Sequence, residues 1–155
     1  MSRLERLADI LAIQDLNTAF AYHLDRNEIA PLVALFAPDA VYSNGPRVSR
    51  GRTEIEAFYL SRTAHGVRTA RHMYSNLRIV FEGEARAGAT SVWLSFAQNA
   101  APPIDDSTPF LVADFEDVYV READGEWRIL SRHIRPIFRN PKGVPPGAAP
   151  PAASP

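Results

Sequence analysis

The sequence predicts an α+β domain, with three helices first and then an antiparallel sheet that curls over them. Three observations carry this. Apolar residues recur at steps of three and four through the first third of the chain, the period turns towards two from His72 onward, and tight-turn signals separate the short extended pieces. Such a sheet leaves a pocket at its open end, which is where a small ligand would sit.

Residues 3–24 place Ile10, Ile13, Leu16, Phe20 and Leu24 on one stripe, with Arg6, Asp9, Asp15 and Arg26 mostly off it, so the first helix is long and amphipathic. Asp25 closes it. In the next segment Asn27 is placed to cap a short helix, Leu32, Leu35 and Phe36 form its apolar face, and Pro38 stops it after Phe36. Asn44-Gly45-Pro46 then marks a hairpin between two short strands. The third helix begins near Thr53, its expected cap, and spaces Ile55, Phe58 and Tyr59 helically. Four strands follow from His72, the last two joined at Ala123-Asp124-Gly125. Residues 1–140 make one domain; the Pro- and Ala-rich residues 141–155 are expected to be disordered or to lie over it.

The chain has 155 residues, 46% of them hydrophobic, enough for one domain with a real core. Its net charge is −1, with Lys and Arg scattered singly, which speaks against nucleic acid and against a membrane surface as partners. There is no cysteine, hence no disulfide, thiolate site or Cys nucleophile. With no targeting or spanning segment, a cytoplasmic address is expected.

His23, His65, His72 and His133 show no ligand spacing, and no phosphate loop or nucleophile elbow occurs, so neither a metal nor a cofactor is expected. What remains is an acid and a base. A neutral imidazole at His72 is a suitable base near pH 7, and Asp25 on its other nitrogen would fix the tautomer. Asp25 also reads as an ordinary helix-ending residue. Strict alternation sets His72 with Tyr74, Asn76 and Arg78, opposite Leu77, Ile79 and Phe81, so without a bulge that face is wet. Tyr22, Tyr42, Tyr59 and Tyr74 could offer phenol donors; Trp93 reads equally as pocket wall or core, and Asn99 as a carbonyl partner or a strand end. His23 points away from Asp25. The face of Arg128 and Arg132 reads as solvated or subunit-facing.

The segments LAIQDLNTAFAYHLDRNEIAPLVALFAPDAVYS, GRTEIEAFY, RHMYSNLRI and DGEWRI resemble the SnoaL-like branch of the nuclear-transport-factor-2-like superfamily, to about residue 138. Within it the chain looks closest to the scytalone dehydratase and hexachlorocyclohexane dehydrochlorinase group. That resemblance implies a cone-shaped curled sheet around a pocket, a catalytic dyad at Asp25 and His72, and a pocket tyrosine at Tyr42. It further implies a small-molecule substrate and a homo-oligomer, dimer or trimer.

The departures are specific. Phe20 stands where the dehydrochlorinases have lysine, Glu122 or Ala123 where they have arginine, Ala97 to Asn99 where the dehydratases have a second histidine, and Leu24 where they have tyrosine. The expected activity is a cofactor-independent lyase or isomerase, of dehydratase type, on a small apolar cyclic or aromatic substrate. Tyr42, Tyr22, Tyr59, Trp93 and Asn99 are the expected substrate contacts. The alternatives are a non-catalytic ligand-binding or oxygenase small-subunit-like domain and a polyketide-type cyclase.

Overall fold

The first helix, α1 (Arg3–Asp25), starts on a capping box: the Ser2 hydroxyl accepts from Glu5 N at 3.2 Å while Glu5 accepts from Ser2 N. Such a cap contributes about 1 kcal/mol. In this computed structural model, which describes residues 2–64 and 66–141, α1 buries Asp9, Ile13, Leu16, Asn17, Phe20 and Leu24. The stripe is as spaced, but two polar residues lie in it. Asp9 is buried because Trp127 Nε1 donates to it at 3.1 Å and Arg121 pairs with it.

Helix α1 ends where Arg26 N–H turns back to His23 and Leu24 carbonyls and Asn27 takes a left-handed φ of 56°. Asn27 is therefore the residue that terminates the first helix; Glu28 occupies the cap position of α2 (Ile29–Ala34). Helix α2 stops earlier than Pro38 suggested. Phe36 already belongs to β1 (Phe36–Asn44), with Ile129 N–H bonded to the Leu35 carbonyl at 2.9 Å. A hairpin leads to β2 (Arg47–Arg50) and then α3 (Gly51–Thr63), whose cap is Arg50, with Glu54 accepting from its N–H at 2.7 Å; Thr53 does not cap.

Four long strands follow: β3 (Thr69–Phe81), β4 (Arg86–Gln98), β5 (Leu111–Arg121) and β6 (Trp127–Arg139). The six strands form one sheet in the order β2-β1-β6-β5-β4-β3. It is the expected curled α+β sheet, with one correction: β1 runs parallel to β6, so the sheet is mixed. A parallel neighbour needs a long crossover, and here nearly the whole intervening chain supplies it. The tail expected to cover the domain lies, from residue 142, outside the described residues, as does His65.

Among the register shifts of the sheet, one in β3 and one in β6 decide which way His72 and Arg132 face. In β3, Asn76 and Leu77 together oppose Ser91, and Asn76 adopts φ 55°. The extra residue shifts the alternation by one. His72 and Tyr74 therefore share the inner face with Leu77, Ile79 and Phe81, whereas Met73, Ser75, Arg78 and Val80 are exposed. In β6, Leu130 is the unpaired residue between Ile129 and Ser131. Trp127 and Ile129 face inward before it, and Arg132 and Ile134 after it. Asn76→Val would force a β-branched residue into the left-handed region, and is expected to cost about 1–3 kcal/mol in urea unfolding, whereas Asn76→Gly is tolerated. Equal stability of the two variants would refute this account of the bulge.

Candidate functional site

The end of α1 is docked onto the start of β3 by three hydrogen bonds. Asp25 Oδ2 accepts from the backbone N–H of His72 at 3.0 Å, Asp25 Oδ1 pairs with His72 Nδ1 at 2.7 Å, and Asn27 Nδ2 donates to the Arg68 carbonyl at 3.3 Å. Both oxygens of the carboxylate thus hold one residue. The His72 and Asp25 side chains are only 5% and 8% exposed. An ionised carboxylate only accepts, so Nδ1 carries the proton and Nε2 is left as the basic nitrogen.

His72 also lines a cavity of about 680 Å³ between the helices and the concave side of the sheet. Burial lowers its pKa from the ordinary 6.5; Asp25 works in the opposite direction, and the Arg62 and Arg68 charges add to the lowering. The imidazole is therefore neutral at pH 7. Asp25 stands behind it, away from the cavity wall.

Tyr42 and Tyr59 line the same cavity and are 3% and 1% exposed, with ring centroids 5.7 Å apart. Burial, with Tyr42 beside it, raises the Tyr59 pKa well above 10.0, so its phenol remains a donor. Phe20, Leu24, Phe58, Phe110 and Phe115 make an apolar wall suited to a flat ring.

The other expected contacts are placed elsewhere. Tyr22 is 49% exposed under the Arg26 guanidinium, because it lies on the outer face of α1. Trp93 is core: fully buried, it stacks between Phe115 at 4.6 Å and Tyr74 at 5.1 Å, and its Nε1 donates to Ser91. Asn99 lies just past the end of β4, exposed, receiving a 3.5 Å contact from Arg68 Nη1. His23 pairs with Glu28 at 2.7 Å, and His133 with Ser43 at 2.7 Å, both remote from the dyad.

Sequence reasoning missed the arginines. Arg47, Arg62, Arg68 and Arg139 line the cavity, and among the described residues no Asp or Glu lines it. Their scatter along the chain gives no signal; only the curl of the sheet collects them. Arg132 was expected on a solvated or subunit-facing surface and is instead fully buried, turned inward by the bulge at Leu130. Its Nε and Nη2 donate to Asp117 at 2.9 and 2.8 Å, and Nη2 also to Asn17 Oδ1 at 2.6 Å. Tyr119 completes the cluster, donating to Asp117 at 2.7 Å and accepting from Asn17 Nδ2 at 2.8 Å. Burial opposes the Arg132 cation, but Asp117 overrides it and holds the pKa above the ordinary value. The guanidinium lies 4.2 Å from the Phe20 ring centre, so the cluster supports the cavity floor from below.

Among the described residues no group of three His, Asp or Glu side chains could hold a metal ion, and no helix is long and apolar enough to cross a membrane.

Comparison with known proteins agrees with this architecture. The family model for the SnoaL-like domain matches residues 5–133. A protein from Novosphingobium aromaticivorans DSM 12444, provisionally named a scytalone dehydratase, superposes with TM-score 0.80 at 25% identity, covering 96% of this chain and 100% of that one. A type 2 hexachlorocyclohexane dehydrochlorinase (LinA) gives 0.77 at 21% identity over 97% and 99% of the two chains. A Catenulispora acidiphila protein in complex with S-DNPA gives 0.73 at 23% identity over 84% and 94%. No protein of curated function matches the sequence.

Proposed function

The chain belongs to the SnoaL-like domain family, and from that premise we propose that it is a cofactor-independent lyase or isomerase acting on a small cyclic or aromatic substrate. The observation that carries this reading is the double hold of Asp25 on His72, by Nδ1 and by backbone N–H, with the imidazole at the wall of the cavity. His72 Nε2 removes a proton from the carbon next to a carbonyl. The electrons of the broken C–H bond pass to the carbonyl oxygen, and the Tyr59 or Tyr42 hydroxyl donates to that oxygen as it gains charge. Loss of a β-hydroxyl as water, protonated by the imidazolium, completes a dehydration and restores neutral His72. Return of the proton to another carbon completes an isomerisation. Asp25 stays ionised throughout and stabilises the imidazolium.

Turnover of a panel of cyclic β-hydroxy-ketones, followed by ultraviolet absorbance of the enone, tests this. The base must be neutral, so kcat/KM is expected to fall as pH drops, with a midpoint below 6.5, the direction of the His72 shift. Stability follows the same window: the unfolded chain takes up the proton at higher pH than the native one, so stability declines as pH falls below 6.5 and levels off under the native value. A pH profile flat from 8 to about 4 on a converted substrate would remove His72 as the base.

A further inference from the structure

We propose that the substrate of this cavity carries a carboxylate, held by Arg68 and Arg62, while its ring lies on the phenylalanine wall. The proposal deepens the lyase or isomerase reading by naming the charge of the substrate.

Arg68 is 6% exposed and lines the cavity. Among the described residues its Nη2, which no water reaches, has no hydrogen-bond partner, and its Nη1 makes the 3.5 Å contact to Asn99. A buried guanidinium without a carboxylate is costly. Arg132 of the same fold shows the ordinary solution, with Asp117 bonded to two of its nitrogens. Among the described residues Arg68 has no such acid; the charge that lowers its pKa is Arg62, another cation on the same cavity wall. Burial first, and then Arg62, lowers its pKa to about 9, which leaves it charged at neutral pH. Two like charges therefore line one concave space, and Arg139 lines it with them.

An anion between Arg68 and Arg62 would supply the counter-charge that the described lining of the cavity lacks and offset the repulsion. A carboxylate suits the guanidinium fork, and the volume leaves room for an attached bicyclic ring. His72 lines the same cavity as both cations, so an anion bound there would share that space with the base.

The test compares 1-naphthoate with 1-naphthamide, which share one shape and differ in charge, by calorimetric titration of the full chain. The carboxylate is expected to bind on the order of 10- to 100-fold more tightly, the range of a charge-assisted hydrogen bond. Arg68→Gln should remove most of that preference and Arg62→Gln part of it, while the surface variant Arg86→Gln leaves it intact. Should Arg68→Gln fail to fold, the probe pair on the unaltered chain and on Arg62→Gln still decides. Equal affinity for the two probes, no binding of either, or a preference that survives both cavity substitutions overturns the proposal. Binding is read without turnover, so an inactive protein that prefers naphthoate refutes only the lyase reading. A protein that converts neutral ketones and shows no such preference refutes only this one.

Discussion

His72→Ala is expected to lower turnover of any converted substrate by about 10²- to 10⁴-fold while the chain still folds. The substitution removes the imidazole that, alone among the described residues, lines the cavity, and the backbone N–H of residue 72 remains to satisfy one oxygen of Asp25. Asp25→Asn should be nearly as damaging, for a different reason. An asparagine can accept from the backbone N–H, but its amide then offers a donor to Nδ1. The imidazole must shift its proton to Nε2 and loses the lone pair that faces the substrate. Circular dichroism checks the fold, and single-substrate kinetics check the rate. If either folded variant keeps more than about a tenth of the parent rate, well short of what general-base catalysis contributes, the dyad is not the chemical centre.

The second large effect is on stability. Arg132→Leu strands the Asp117 carboxylate, 1% exposed, without its counter-ion, and is expected to cost about 3–5 kcal/mol. For a domain of this size that is a fall in Tm of roughly 10 °C. Tyr119 and Asn17 would keep their mutual hydrogen bond but lose the charge that organises them. The double variant Arg132→Leu with Asp117→Leu should recover a large part of the loss, because it removes both buried charges together. A single variant within about 1 kcal/mol of the parent in urea unfolding would show that the pair is not held as the geometry indicates, since such an effect is typical of surface sites. The cluster lies beneath Phe20, so its collapse would also disturb the cavity floor.

Much of the architecture was legible in local pattern. The stripe from Ile13 to Leu24 requires an amphipathic helix whatever surrounds it, and Asn44-Gly45 and Asp124-Gly125 permit little besides turns, with both glycines at positive φ. Residue type shows that Asp25 and His72 could serve as acid and base, but local pattern leaves Asp25 equally a helix end and His72 equally on a wet face; it is the resemblance to the SnoaL-like family that implies the pair. Boundaries were less legible: Leu35 and Phe36 fit a helix face locally, and only pairing with β6 draws Phe36 into a strand.

The sequence by itself determined the order of elements, the periodicity of each and the inventory of chemical groups, because these depend on interactions a few residues long. The tertiary structure alone decided the faces of β3 and β6 and the company each group keeps. One extra residue at Asn76 turns His72 inward, one at Leu130 turns Arg132 inward, and the curl gathers four arginines from distant segments around one cavity. A strand's alternation has period two, so a single unpaired residue reverses every side chain beyond it. Where that residue falls is set by pairing with a partner strand, which no local pattern contains.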